Sequence, residues 1–292
     1  MSNITNDDVT RVKALGFLRA RGTDYFNGRI ITRNGKITND ELEAVLEASR
    51  LYGNGEVAFT TRLTIEVQGI SYENIEPFRE FLRKRGLETG GTGKKVRPIT
   101  SCKGTTCVFG LIDTYSLSLA IHNRFYDGWR DVTFPHKVKI AVGGCPNNCM
   151  KPNLNDIGII GQRFPKVDLE KCRGCKKCTI ENACPIKCAK VVDGKVVMDN
   201  TCNHCGRCIG KCPFGAVSED YTGYAIYIGG RFGKDYAIAK PLSVILESEQ
   251  EVLDMIEKIL HFYKDNGIAG ERFAETIDRL GFEYVEKAIL EN

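Results

Sequence analysis

Twelve of the thirteen cysteines fall into three sets of four, and the sets have spacings of two kinds. One set joins the two short motifs CKGTTC and CPNNC, and the other two form a compact double run further along the chain. Thiolates grouped in this way are typical ligands of iron–sulfur clusters, so the pattern predicts three clusters and an electron-handling protein. The predicted ligands are Cys102, Cys107, Cys145, Cys149, Cys172, Cys175, Cys178, Cys184, Cys202, Cys205, Cys208 and Cys212.

The double run, CRGCKKCTIENACP followed by CNHCGRCIGKCP, carries the more specific pattern. Three cysteines at two-residue spacing bind one 4Fe-4S cluster, and the fourth, before a proline, reaches the other cluster. This predicts two ligand sets: Cys172, Cys175, Cys178 with Cys212, and Cys202, Cys205, Cys208 with Cys184. A pair of zinc knuckles is the alternative, but zinc does not require the doubled arrangement. Cys188 is left over and is predicted to be a small buried residue.

CKGTTC and CPNNC are less specific when spacing alone is considered. Four thiolates in glycine-rich loops suit either a third 4Fe-4S cluster or a structural zinc ion. The neighbouring ferredoxin-type module favours the cluster.

Composition limits the classes of partner. A net charge of +4 over 292 residues is too small to indicate nucleic-acid binding, although a small anionic ligand is compatible with it. No apolar run approaches the roughly 20 residues of a membrane span, and the N-terminus has no secretory pattern. The cysteines therefore predict metal ligation in a reducing, cytoplasmic compartment. No dinucleotide-binding glycine motif is present, so electrons are expected to come from another protein.

The first part of the chain alternates strand and helix patterns. Strands are predicted at 28–33 and 56–67, and helices at 39–52 and 74–85. Thr38 and Glu41 form a capping-box pattern at the start of the first helix, and Gly53 follows its end. This β-α-β-α order predicts a ferredoxin-like α+β domain over residues 1–92.

The remaining chain is predicted to form a second α+β domain, residues 93–164 and 221–292, with the two-cluster ferredoxin module inserted at 165–220. Its predicted helices lie at 113–127, 247–264 and 270–290. Its predicted strands lie at 138–142, at 157–161 and in YAIYI before the GGRFGK turn. An insertion of this kind is tolerated where its two ends lie close together at the surface.

Three segments resemble the sirohaem-binding half of the sulfite and nitrite reductases: VRPITSCKGTTCVFGLIDT, PHKVKIAVGGCPNNCMKPNLNDIGIIG and YIGGRFGK. With the inserted module and the short chain, the likeness is to the C subunits of anaerobic sulfite reductases. The resemblance implies a sirohaem coupled to a 4Fe-4S cluster through Cys149, and six-electron reduction of sulfite to sulfide. Many members of the family have five residues between the first two cysteines, whereas this chain has four, Lys103 to Thr106.

The resemblance also assigns roles to basic residues, because sulfite and the carboxylates of sirohaem are anionic. Arg97, Lys137 and Lys139 correspond to substrate-binding residues, with Arg29 or Arg33 as a further one. The two lysines are one residue apart on a predicted strand, so they share a face. Arg62 and Arg231 are expected to contact the sirohaem. Without the resemblance, a solvated surface charge is the favoured interpretation of each of these residues taken singly. His136 is a weaker candidate proton donor.

These observations predict the catalytic subunit of a sirohaem sulfite reductase that receives electrons from a reductase subunit or a soluble ferredoxin. Family members carry two related halves, whereas this chain has one, so a second copy or a homologous partner is expected to complete the site. Two alternatives stay open. The same cofactor and basic pocket also suit nitrite reduction, and a polyferredoxin carrier without haem would use the same cysteines.

Overall fold

The computed structural model describes residues 4–291 and confirms the α+β fold class that the sequence predicts. Its strands form a four-stranded sheet in the N-terminal unit, a five-stranded sheet in the second unit and a two-stranded hairpin. Among the described residues, no helix combines the length and the apolar character that crossing a membrane requires.

The N-terminal unit combines three helices with an antiparallel sheet, in which the strands lie in the order β1 (Phe17–Arg19), β2 (Phe26–Ile30), β4 (Ile65–Ile70) and β3 (Val57–Phe59). The capping box predicted at the start of α2 is present: Thr38 Oγ1 accepts the Glu41 N–H (3.2 Å), and the Glu41 carboxylate accepts the Thr38 N–H (2.8 Å). The predicted helix at 39–52 is therefore confirmed. The elements are α1 (Asn6–Ala14), β1 (Phe17–Arg19), β2 (Phe26–Ile30), α2 (Asn39–Tyr52), β3 (Val57–Phe59), β4 (Ile65–Ile70) and α3 (Ile75–Arg83).

The single strand predicted at 56–67 is wrong, because the chain reverses there and forms the antiparallel pair β3 and β4. Thr60 Oγ1 accepts hydrogen bonds from the N–H groups of Arg62 and Thr64, both at 3.2 Å. Leu63 has a positive φ of 57°, which a continuous strand does not allow. This turn carries Arg62 out of the sheet towards the second unit.

The second unit begins with β5 (Thr100–Ser101), α4 (Thr114–Ile121), β6 (Ile140–Gly143) and β7 (Ile157–Val167). The predicted helix at 113–127 is confirmed as α4 with a π-helical continuation over His122–Asp127. β5, β6 and β7 are parallel neighbours, so their carboxyl ends lie at one edge of the sheet.

The inserted module contains α5 (Thr179–Ala183) and the hairpin strands β8 (Ala189–Val192) and β9 (Lys195–Met198). It is followed by β10 (Val217–Ile228), β11 (Lys240–Leu246), α6 (Glu249–Asn266), α7 (Phe273–Leu280) and α8 (Phe282–Glu291). The five-stranded sheet has the order β11-β10-β7-β6-β5. The single helix predicted at 270–290 is divided at Gly281, whose φ of 89° separates α7 from α8.

The two ends of the inserted module are held together by a long antiparallel ladder. β7 and β10 pair from Ile157 opposite Ile228 to Val167 opposite Val217. The boundaries expected from the sequence, 165 and 220, fall inside this ladder rather than at its end. The module therefore extends from a continuous β-ribbon of the second unit, which fixes its ends at the surface of the sheet.

Candidate functional site

Two cysteine loops meet at the carboxyl edge of the parallel strands. Cys102 directly follows β5, and Cys145 follows β6 by one residue, Gly144. The Cys102 N–H donates to the Val142 carbonyl (3.1 Å), and the Gly144 N–H donates to Cys102 Sγ (3.2 Å). The parallel pairing of β5 with β6 thus brings together two motifs that lie far apart in the sequence.

Glycine is required where these two loops touch. A Cβ on Gly144 would lie 2.8 Å from the Gly104 Cα, and a Cβ on Gly104 would lie 2.9 Å from the Gly144 Cα. Any side chain at either position would push the loops apart. The glycines around CKGTTC and GGCPNNC therefore allow the close approach of the thiols.

Cys102, Cys107, Cys145 and Cys149, called here the strand-end set, interact with one another. Burial raises the pKa of the Cys145 thiol, and the charges of the other three members raise it further. Cys149 is exposed, while the other three are half-buried. Positive φ angles at Asn148 (56°) and Lys151 (51°) bend the chain around Cys149. The structure therefore brings the four predicted ligands together and leaves the proposed bridging thiol at the surface.

The geometry of the thiols argues against zinc. Tetrahedral zinc with Zn–S bonds of about 2.3 Å holds its thiolates about 3.8 Å apart. Within residues 4–291, no three cysteine Sγ atoms lie within 4.8 Å of one another. Each thiolate of a cubane binds a separate iron atom, so the wider grouping suits a cluster.

The inserted module brings together the second predicted set. Cys184, Cys202, Cys205 and Cys208, called here the inner set, line one small cavity. Burial raises the pKa of Cys208 to about 11, and the other three members contribute. The remaining set, called here the outer set, comprises Cys172, Cys175, Cys178 and Cys212. Three of its members, Cys172, Cys178 and Cys212, pack in the same apolar core as Cys184.

Cys188 is buried, and its Sγ lies 3.4 Å from Cys184 Sγ. It follows Cys184 by four residues, just as Ala216 follows Cys212. Ala216 is buried in the same core. This equivalence supports the prediction that Cys188 packs as a small side chain.

The basic residues form a second centre, called here the cation cluster: Arg29, Arg62, Arg97, Lys137, Lys139 and Arg272. Arg62 is the most enclosed of the three arginines that the sequence predicted in it. Its Nη1 donates to Asn155 Oδ1 (2.8 Å) and its Nη2 to the Pro98 carbonyl (2.7 Å). Burial lowers the pKa of Arg62 to about 10, an effect that Arg97 reinforces and Asp156 opposes.

Arg29 and Arg97 share one backbone acceptor, the Gly91 carbonyl. Arg29 also pairs with Glu66 at 2.6 Å. Arg33, the alternative to Arg29, lies beyond the end of β2 and pairs with Glu41 instead. The structure thus places Arg29, rather than Arg33, with Arg97.

Lys137 and Lys139 precede β6 in extended chain, and they alternate with the fully buried Val138 and Ile140. Both lysines are half-buried on the same face, in agreement with the predicted alternation. Burial lowers the pKa of Lys139 to about 8, with further contributions from Arg62 and Arg272. Lys137 has a pKa lowered by burial first and then by Arg272.

Two residues of this centre were missed by sequence reasoning. Asp156, whose side chain is fully buried, accepts two hydrogen bonds from Arg272 Nη2 at 2.8 Å and one from the Lys139 N–H at 2.8 Å. Asp156 directly precedes β7. An acidic residue in front of an apolar strand is a sequence signal that could have identified it as a candidate site residue. Arg272 precedes α7 and carried no comparable signal. The buried carboxylate offsets the repulsion among the surrounding cations.

Arg231 and His136, the other two predicted site residues, are not counted in the cation cluster and make different hydrogen bonds and ion pairs. The Arg231 guanidinium pairs with Glu275 (2.5 Å) and with Asp235, so both carboxylates already hold it. His136 Nδ1 accepts the Lys137 N–H at 2.7 Å, and burial, followed by Lys137, lowers its pKa.

The cation cluster retains unused donors. The Nε atoms of Arg62 and Arg97 are buried and have no hydrogen-bond partner among residues 4–291. Asn155 accepts from Arg62 and donates to the carbonyl of Lys151, two residues beyond Cys149, which links this centre to the strand-end set. An anionic group that carries several carboxylates, such as sirohaem, fits these donors.

Thiols grouped at the strand ends and a cluster of enclosed cations are the groups that an iron–sulfur site next to an anion-binding site requires. Residues 92–292 match the nitrite and sulphite reductase 4Fe-4S domain, and residues 19–85 match the ferredoxin-like half domain of these enzymes. The chain therefore belongs to the nitrite and sulfite reductase family.

Two relatives and one solved structure illustrate the similarity. The coenzyme F420-dependent sulfite reductase of Methanocaldococcus jannaschii is 33% identical over 271 residues, which cover 90% of this chain and 42% of the relative. One subunit of the anaerobic sulfite reductase of Salmonella typhimurium is 28% identical over 178 residues, which cover 55% of this chain and 50% of the relative. The chain thus spans half or less of either relative, and its likeness to the first is greater.

The fold is also that of a solved sulfite reductase. The crystal structure of dissimilatory sulfite reductase I superposes with a TM-score of 0.72 and covers 91% of this chain and 69% of that chain. The sequence identity is 23%, so this similarity concerns the fold.

Proposed function

We propose that this chain is the catalytic subunit of a sirohaem sulfite reductase. The observation that carries the proposal is the enclosed cation cluster, in which two buried arginine Nε atoms have no hydrogen-bond partner in the described part of the chain. Reduction of HSO3⁻ to HS⁻ consumes six electrons and six protons and releases three water molecules. The chain must therefore hold a small anion, deliver electrons singly and supply protons.

The strand-end set would bind a 4Fe-4S cluster, and exposed Cys149 would join it to sirohaem. When bound, sirohaem supplies the iron at which sulfur oxyanions are reduced. The cation cluster would hold the carboxylates of that group and the oxygens of the substrate through charge-assisted hydrogen bonds. Asp156 keeps Arg272 and the backbone of Lys139 in place for this task.

Lys139 is the preferred proton donor. Its pKa, lowered to about 8 by burial, leaves the ammonium charged at neutral pH and makes its proton easier to transfer than that of an exposed lysine. Lys137 lies on the same face and would hold the anion beside it. His136 is the weaker donor, because burial and neighbouring cations disfavour its protonated form.

Electrons would pass from the outer set to the inner set and then to the strand-end set. Two contacts support this order. The Arg163 N–H in β7 donates to the His204 carbonyl (2.7 Å), between the inner-set residues Cys202 and Cys205. The Arg207 guanidinium lies over the Phe109 ring, 5.0 Å from its centroid, and Phe109 follows Cys107 by two residues. The inner set is thus joined to the strand-end loop.

The active site is further proposed to be completed by a second copy of the chain or by a homologous partner. This chain carries one ferredoxin-like half domain and one 4Fe-4S domain. Sedimentation separates the monomer of the sirohaem-loaded protein from the assembled form, and the sulfite-reducing activity of each form is then measured. A monomer that turns over sulfite as fast as the assembled form would refute it.

The proposed function is tested on protein purified without oxygen from cells that supply sirohaem. Visible absorption, iron, sulfide and tetrapyrrole are measured first, and sulfite reduction is then driven by reduced methyl viologen. Iron for three cubanes and one haem, together with sulfide production, supports the proposal. Clusters without tetrapyrrole would instead indicate a polyferredoxin carrier. A strong preference for nitrite in the same assay would identify the chain as part of a nitrite reductase instead.

A further inference from the structure

The segments between the ligand cysteines of the inserted module are strongly basic. Five Lys or Arg residues and one acidic residue, Glu181, lie within 172–184 and 202–212. Of the five, Arg207 faces the second unit, where it contacts Phe109. The other four flank outer-set cysteines in the sequence: Arg173, Lys176, Lys177 and Lys211. These four residues are called here the basic rim.

The basic rim is exposed, and none of its four residues has an ion-pair partner among the described residues. Some other charges of the module are paired with each other. Lys171 pairs with Asp168 at 2.8 Å, and Glu219 pairs with Arg163. Lys166, Lys187 and Lys190 of the module are also exposed and have no ion-pair partner among the described residues, but they lie outside the segments between the predicted ligands. The four residues of the basic rim are the unpaired charges that flank the outer-set cysteines.

An apolar side chain accompanies these charges. Phe214 follows Cys212 by two residues and is 49% exposed. Phe214 and Lys211 lie on either side of the Cys212-Pro213 pair in the sequence, and aromatic residues are enriched in protein–protein contacts, whose outer part is polar. The contact with the strand-end loop described above is made by Arg207, which lies between the inner-set residues Cys205 and Cys208, so we take the outer set as the entry point for electrons.

We propose that the basic rim with Phe214 is the docking surface for a separate, small electron-carrier protein with an acidic face around its redox centre. This inference rests on the proposed function, because it requires the outer set to bind the entry cluster. Complementary charge accelerates encounter and orients the two centres, and it does so less as salt screens the charges. One electron passes from the reduced carrier to the outer cluster in each encounter.

The test compares two charge-reversal variants of the full, sirohaem-loaded chain. The rim variant is Lys176→Glu with Lys177→Glu. The control is Lys166→Glu with Lys190→Glu, two exposed lysines of the same module outside the cysteine runs, which changes the net charge equally. An acidic [2Fe-2S] ferredoxin is the protein donor, and reduced methyl viologen is the small cationic donor. Iron and sulfide are counted in every variant.

We expect the rim variant to raise the KM for ferredoxin about tenfold, and the control to change it less than twofold. Turnover with methyl viologen should stay within twofold in both variants. Increasing ionic strength should raise the KM of the wild type for ferredoxin and leave the KM of the rim variant nearly unchanged. Equal KM values for the rim and control variants would overturn the proposal.

Failure of the proposed function has a different signature, since the wild type would then show no sulfite reduction with methyl viologen either. If the rim variant loses iron, the pair Arg173→Gln and Lys211→Gln replaces it. Because these substitutions only neutralise charge, a threefold rise in KM is expected. An unchanged KM there would also refute the docking surface.

Discussion

The cation cluster and the inserted module assemble their functional groups in opposite ways. The inner and outer sets all come from residues 172–212, and the first three cysteines of each run are separated by two residues. The cation cluster collects side chains from β2, the β3–β4 turn and the segments that precede β5, β6 and α7. The first site depends on a local motif, whereas the second depends on the whole fold. A substitution in the cation cluster should therefore disturb several elements of the fold, whereas a substitution in the inserted module should disturb only its surroundings.

The largest effect is expected from removing a buried ion pair rather than an exposed one. Asp156→Asn leaves the Arg272 guanidinium, whose side chain is 11% exposed, without its carboxylate. We expect a loss of about 3–5 kcal/mol in unfolding free energy. Glu219→Gln in the ribbon breaks its pair with Arg163, whose side chain is 37% exposed, and should cost at most about 1 kcal/mol. Anaerobic urea unfolding measures both, and similar losses would contradict the contrast.

A smaller but selective effect is expected at Lys139. Lys139→Met removes the proposed proton donor and should lower the kcat for sulfite about 100-fold, within the range typical of general-acid groups. The iron and sulfide content should stay unchanged, because the clusters are bound elsewhere. Methyl viologen turnover with metal analysis measures the two together. Lys166→Met, on the exposed part of β7, is the control. An equal loss of kcat in this variant would show that Lys139 has no specific role as a proton donor.

The difference between the two regions also explains how far the sequence could be interpreted. The helix Asn39–Tyr52 was predicted to the residue because Thr38 and Glu41 form a local signal. The cysteine runs were recognisable for the same reason. The turn at Leu63 was not, since it depends on a positive φ and on hydrogen bonds of the Thr60 side chain. Arg272 was missed because only tertiary packing brings α7 to Asp156.

The choice between Arg29 and Arg33 shows the same limit. Both lie in the segment predicted as one strand, and alternation places them on the same face. The strand ends at Ile30, however, and the chain then turns, so Arg33 reaches Glu41 at the start of α2. A small error in a strand end thus changes which arginine joins the cation cluster.

The pH dependence of turnover should report on the cation cluster alone. Burial lowers the pKa of Lys139 from its ordinary value of 10.5 to about 8, so its charged, proton-donating form is complete below that pH and is lost above it. We expect log kcat to fall by about one unit per pH unit above pH 8. In Lys139→Arg the fall should move to higher pH, because arginine keeps its proton. A profile unchanged in this variant would exclude Lys139 as the titrating group.

The smallest effect is expected inside the inserted module, at the cysteine that its local pattern leaves out. Cys188→Ala should retain all iron and lower the unfolding free energy by about 1 kcal/mol, since Ala216 already occupies the equivalent position in the second run. Cys184→Ala, whose Sγ lies only 3.4 Å away, should instead lose the iron of one cluster. Iron and sulfide counts on the two variants decide between packing and ligation. Loss of iron in Cys188→Ala would make Cys188 a ligand and require the inner set to be redrawn.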